Sequence, residues 1–349
     1  MSQKAGFSGV SSSTLANISI ILLVGVLAIV HLKAVIQPLV VATLIFFLIR
    51  PPAQWLEERI GGHPLVAYGV LVSMVMGFLF FASNSMYENM QNFTNEAPEL
   101  EQSLQLKIAW LEDLSIFGYH MDTSALTGLI TIETVNSYAA GFVGTLAGFT
   151  TSFVTVLIFL LFIILEAETL PKRIKAAYPD DVDRIMSVAA GSGEGINTYV
   201  VTRATVAFGQ AIVAAIVLSA MDIPFVFLWA SITFLMDFIP YVGALLSIIP
   251  PILLGLIVLP STTSLLLIAL LVANQQVWGG IIEPQLAGQR LDMSPIVLLL
   301  LVAFWGWAWG IMGMVLGVPL AVIMKIGLES DERTRPIAMM LSRDPSLDQ

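Results

Sequence analysis

Asp237 directly precedes Phe238-Ile239-Pro240-Tyr241 inside a long apolar stretch. A carboxylate at bilayer depth is costly, and such acids face a cavity, a partner or an ion path. The rival role is an interfacial acid capping a half-helix. Glu283 follows Ile281-Ile282, and with Arg290 and Asp292 it brackets the connection from Pro284 to Pro295. These charges suit an ion-pair gate that opens as neighbouring segments move. The plainer reading is a solvated loop with a weak pair, worth about 0–1 kcal/mol. Asn274, Gln275 and Gln276 form an amide cluster. It could offer paired donors and acceptors to a hydroxylated solute, or simply join helices. Consecutive residues point different ways on a helix, so one or two of the three face inward. Trp305 and Trp309 share a face, as a gate or stacking surface or as part of an interfacial aromatic belt. Arg203 follows Tyr199 at helical spacing and reads as a snorkelling interface anchor.

The elements holding these residues are broken. Pro240, Gly243, Pro250 and Pro251 interrupt an apolar segment of about 35 residues, 224–259. Gly306, Gly310, Gly313, Gly317 and Pro319 punctuate a second of similar length, 294–328. In lipid every backbone polar group must be paired, so breaks survive only where protein or a water-filled cavity covers them. Paired broken segments point to a transporter's binding site. The G-x-x-x-G spacings also suit close helix packing. A straight helix of 35 residues would run about 50 Å. Each segment is therefore a broken, tilted span or a re-entrant hairpin, giving eight or six crossings. Both counts leave the tail on the same side.

Composition sets the class. The 349 residues are 57% hydrophobic and 11% charged, against about 25% charged in soluble domains. Apolar runs reach the roughly 20 residues that cross a hydrocarbon core. The expected fold is an all-α polytopic membrane protein of six to eight transmembrane helices. There is no cysteine, so disulfides and thiolate metal sites are absent. His31, His63 and His120 form no metal motif, no phosphate loop occurs, and no cofactor or enzymatic role is expected. A net charge of −10 argues against nucleic acid.

In chain order, residues 1–13 read as a disordered N-terminus and 14–82 as three spans. Residues 83–138 form a helical insert with eight acids against Lys107 alone. Leu100, Leu104, Ile108 and Leu111 give it an apolar stripe, with Pro98 suiting a first turn. A fourth span covers 139–165. Residues 166–203 form a basic amphipathic segment whose helix from Pro179 lies on the membrane surface or a neighbour. A fifth span, 204–220, opens the transport half, 204–328, and 329–349 is a tail. Basic residues cluster in the N-terminus, the 50–63 loop, 166–203 and the tail, which places both termini in the cytoplasm and the insert outside.

The D-F-I-P-Y-V-G-A-L-L-S-I-I-P-P and I-I-E-P-Q-L-A-G-Q-R-L-D-M-S-P motifs, with F-W-G-W-A-W-G-I-M-G-M-V-L-G-V-P-L, resemble those of the autoinducer-2 exporter family of bacterial membrane proteins. The likeness is strongest over about 199–328, and the W-G-W-A-W-G form resembles the autoinducer-2 transport subgroup. The resemblance implies an inner-membrane exporter of autoinducer-2 or a similar small polar signal, with sodium(lithium)/proton antiport as the alternative. On either, Asp237 and Glu283 are candidates for ion coupling, and the partners are the bilayer and a polar solute, sodium or proton. Glycine-rich faces allow a homo-oligomer.

Overall fold

A computed structural model describes residues 12–60, 64–113, 137, 141, 144, 153–287 and 293–343. Among the described residues every regular element is a helix. Helix α1 is Ser12–His31, α2 is Lys33–Ile60 and α3 is Pro64–Asp113. Helix α4, Phe153–Glu166, bends by 62° into α5, Leu170–Ala177. Then follow α6 (Val182–Ala220), α7 (Val226–Met236), α8 (Val242–Val258) and α9 (Ser261–Gln276). A π-helical turn, Val277–Ile282, joins α9 to α10 (Glu283–Ala287); α11 is Pro295–Trp309, α12 is Ile311–Glu329 and α13 is Arg335–Leu341. Five helices are long and apolar enough to cross a membrane, or six if the bent pair is one span. The protein is thus an all-α, multi-pass membrane protein.

Several helices run further than apolar periodicity indicates. The expected loop after Arg50 stays helical through Pro51 and Pro52 to Ile60. The third span and residues 83–113 of the insert share one helix; nearly all the rest of the insert and most of the first half of the fourth span lie outside the described residues. The 50 residues of α3 extend about 75 Å, far beyond a core of about 30 Å. Pro98 lies inside it rather than at a first turn. The far part of α3 packs Met90 and Leu100 against Leu228, Trp229 and Leu254. Phe93 meets Phe225 and Trp229 edge-on, with ring centroids 5.2 and 5.6 Å away. Lys107 Nζ donates to the carbonyls of Leu256 and Leu259, capping the end of α8 with a cation. The surface helix expected before the fifth span is instead the beginning of α6, whose 39 residues run unbroken.

The two broken segments are antiparallel hairpins. In the first, Ile223 lies against Gly255 at the base and Met236 against Gly243 at the tip. In the second, Val302 faces Gly317, Trp305 faces Gly313 and Gly306 faces Met314. From Ile223–Gly255 to Met236–Gly243, and from Val302–Gly317 to Trp305–Gly313, the numbers rise on one arm as they fall on the other, as they must when a chain folds back.

The breaks themselves are fewer than expected. Pro250 and Pro251 lie inside α8, Pro319 inside α12, and Gly306, Gly313 and Gly317 inside helical arms. A proline removes one helical hydrogen bond, but packing of the flanking turns can carry the helix through it. The chain reverses only at residues 237–241 and at Gly310. There φ is +69° and ψ is −149°, a conformation essentially confined to glycine. The arm glycines serve close approach: a Cβ on Gly313 would lie 1.9 Å from the Trp305 carbonyl oxygen.

Candidate functional site

Helix α6 is the spine of the site. At about 100° per residue, Ser192, Tyr199, Arg203 and Gln210 fall within about 20° of one line along it. All four are buried. Helix α12 runs antiparallel beside this spine, with Ile326 near Gly191 and Val322 near Gly195. Helix α9 is antiparallel too, with Leu267 and Leu218 in one cluster and Asn274 at Gln210. The first hairpin has its base near Leu218, where the Ile223 N–H donates to the Leu218 carbonyl, 2.9 Å. The second has its base at the other end of α6. There Arg184 pairs with Asp331 at 3.0 Å, and the Ser294 N–H donates to the Leu341 carbonyl at 2.8 Å. The hairpins therefore enter from opposite ends and meet at Tyr199, which packs with Ile239 of the first and Val302 and Val318 of the second.

Arg203 is the charged centre of that meeting. Its Nε donates to the Asp237 carbonyl at 2.5 Å. One terminal nitrogen lies 3.6 Å from Asp237 Oδ1, the other 2.5 Å from Glu283 Oε1. The Asp237 side chain is 3% exposed and that of Glu283 30%. One guanidinium thus joins α6, the first hairpin's tip and the end of the α9–α10 span. Two carboxylates share it, so the trio carries one net negative charge when all are ionised. Asp237 Oδ2 is buried with no hydrogen-bond partner among the described residues.

The tip is strained. Tyr241 has φ +62° and ψ −52°, and the Val242 N–H donates to the Pro240 carbonyl at 2.7 Å. That is a γ-turn of the rare, unfavourable hand. Gly243 is needed beside it, because a Cβ there would lie 1.7 Å from the Met236 carbonyl oxygen. Non-glycine residues persist in such conformations only where the surroundings hold them, and they cluster at working sites.

The π turn positions Glu283. Nine residues of α-helix from Asn274 turn about 900°, which would aim Glu283 away from α6. A π turn advances less per residue and brings it back. The turn also sets Trp278 against Gly209, where a Cβ would lie 2.0 Å from the indole ring.

Of the amides, Asn274 is buried and its Nδ2 donates to the Gln210 carbonyl at 3.0 Å. Gln210 Nε2 donates to Gln275 Oε1 at 2.5 Å. Gln276 is exposed. The expectation of one or two inward amides matches this arrangement. Trp305 and Trp309 are buried with ring centroids 4.6 Å apart, inside a cluster with Leu44, Ile196 and Leu316. They pack the second hairpin, whereas the outward Trp307 is 67% exposed. Arg290 and Asp292 lie outside the described residues.

Arg203 is the correction. It is neither at a helix end nor snorkelling, but 8% exposed in the middle of α6. Taking the fifth span to begin at Ala204 put Arg203 at an interface. The available signal was the alignment of Tyr199, Arg203 and Gln210 on one face.

The profile of the AI-2E family transporter family matches residues 18–330. The AI-2 transport protein TqsA of Escherichia coli K12 is 26% identical over 339 residues, covering 94% of this chain and 97% of that protein. The putative transport protein YhhT of the same strain is 25% identical over 321 residues, 91% of each chain. A putative transport protein of Haemophilus influenzae is 28% identical over 348 residues, 94% of this chain and 95% of its own. A match spanning most of the residues, on a multi-pass helical body, places this chain in the AI-2E family of membrane transporters.

Proposed function

We propose that this protein exports autoinducer-2 or a similar small polar signal across the bacterial inner membrane. The observation carrying the reading is the buried Arg203 centre, which ties one hairpin tip to two long helices where the opposed hairpins meet. The name of the Escherichia coli relative supports the substrate. Hairpins flanking a mid-membrane site are the geometry that alternating access uses. With 11 residues, α7 is about 16 Å long and α11, with 15, about 22 Å. Both fall short of a core of about 30 Å. We therefore read six crossings plus two re-entrant hairpins, with both termini cytoplasmic; α12 is long enough to cross but folds back on the short α11. Release of Asp237 from Arg203 would free the first tip to move, and a proton on Asp237 would favour that release. The ion gradient enters the cycle at this point. Assembly as a homo-oligomer belongs to the same reading.

The test uses purified protein in sealed vesicles loaded with autoinducer-2 and given a pH gradient. Protein-dependent release that follows the gradient is expected and should be lost in Arg203→Met. No release above protein-free vesicles would overturn the substrate. If a sodium pulse then moved protons, sodium/proton exchange would replace it.

A further inference from the structure

Besides Trp305 Nε1 in the second hairpin, five buried side-chain polar atoms lack a hydrogen-bond partner among the described residues: Gln210 Oε1, Tyr199 OH, Ser192 Oγ, Asn274 Oδ1 and Asp237 Oδ2. They are not scattered. Ser192, Tyr199 and Gln210 share the Arg203 face of α6; Asp237 contacts Arg203, and Asn274 contacts Gln210. From Ser192 to Gln210 is 18 residues, about 27 Å of helix, close to the thickness of a hydrocarbon core. Buried polar atoms are nearly always satisfied, by protein or by ordered water. Five orphans in an otherwise apolar body would be a large cost if each stayed dry.

We propose that this face of α6 is a water-binding file running through the protein from Ser192 to Gln210. Water is the ligand because the gaps between these residues are filled. Ile196, Val206 and Ala207 lie at 0% exposure among them, which excludes a larger solute, and lone buried polar atoms are the ones that single ordered waters satisfy. Each water has a distinct set of partners. Hydroxyls of Ser192 and Tyr199 can donate or accept, and the amide oxygens of Gln210 and Asn274 accept. At Asp237 the carboxylate oxygen accepts while Arg203 holds its partner oxygen. The file connects the charged centre to both ends of the span. It serves the transporter reading but does not depend on it.

The chain has no cysteine, so single introduced thiols report water directly. The full-length protein would carry Ser192→Cys, Val206→Cys or Gln210→Cys in phosphatidylethanolamine–phosphatidylglycerol vesicles. Comparison variants are Ala211→Cys, buried off the file, and Ile216→Cys, on the exposed apolar face. Silver ion, small and water-borne, is the probe, and protection from a later maleimide is the readout. The file positions should react at least tenfold faster than both comparison positions. Val206→Cys and Gln210→Cys reacting no faster than Ala211→Cys would overturn the file. Ser192→Cys changes one atom and Val206→Cys little more, so a misfolded Gln210→Cys would not decide the matter. Autoinducer-2 release from parallel vesicles separates the two readings. Release without silver reactivity sinks only the file, and reactivity without release sinks only the substrate.

Discussion

Replacing Arg203 by methionine removes a charge while keeping an unbranched apolar stem. Its two carboxylates respond differently. Glu283, 30% exposed, has room to turn away from the gap, whereas Asp237, at 3%, is left as an unpaired buried anion. Breaking a buried pair from one side costs about 3–5 kcal/mol, and here most of that falls on Asp237. Melting followed by the fluorescence of the seven tryptophans should show Arg203→Met lowering the midpoint by roughly 5–10 °C. Adding Asp237→Asn should recover most of the loss, because a neutral amide needs no counter-charge. Adding Glu283→Gln instead should recover little. Equal recovery by either partner would refute the unequal burial behind this reasoning, and an unchanged midpoint in Arg203→Met would refute the buried centre itself.

Three other outcomes follow from the packing and the charges. Gly209→Ala should cost about 1–3 kcal/mol as its methyl displaces Trp278, and Trp278→Ala in the same chain should restore part of the melting midpoint. Gly313→Ala forces a methyl onto the Trp305 carbonyl; it should loosen the second hairpin, read as faster amide exchange across α11 and α12. Asp331 is held below the ordinary carboxylate range, first by the Arg333 backbone N–H and then by Arg184. A depressed folded pKa stabilises above the unfolded value of about 3.9 and loses that contribution as pH falls through the folded one. Exchange protection of α13 should therefore hold at pH 7, weaken towards pH 3, and be weak at both in Asp331→Asn.

Composition and the length of the apolar runs were enough to show a helical membrane protein, because 11% charged residues lies far below the about 25% usual in soluble domains and the runs are long enough to cross a bilayer as helices. The burial of Asp237 was also legible, since an acid beside Phe-Ile-Pro-Tyr inside an apolar run must be covered by protein or a cavity. Prolines were poorer guides. Pro240 marks the reversal, but Pro250, Pro251 and Pro319 lie within helices, because a missing N–H weakens a helix without ending it. Nor does a hydropathy profile separate a span from a hairpin, since both are equally apolar. The decision lies in pairs such as Val302–Gly317 and Trp305–Gly313, where glycine lets one arm lie on the other.

The misreading of Arg203 has the same origin. A span boundary was drawn where the apolar run began, so a charge just before it became an interface residue. Yet Ser192, Tyr199, Arg203 and Gln210 recur at seven, four and seven residues, a spacing that keeps one helical face. Lipid-facing positions gain nothing from such a file; Phe208, Ile212 and Ile216, which do face outward, are all apolar. Polar residues stand at four of the six returns of this face, with Ile196 and Val206 at the other two, which is the pattern the proposed file would need. That periodicity crosses the assumed boundary at Ala204 without interruption. In a chain of this composition the period of the polar residues therefore locates the buried face of a helix better than its hydrophobic edge does.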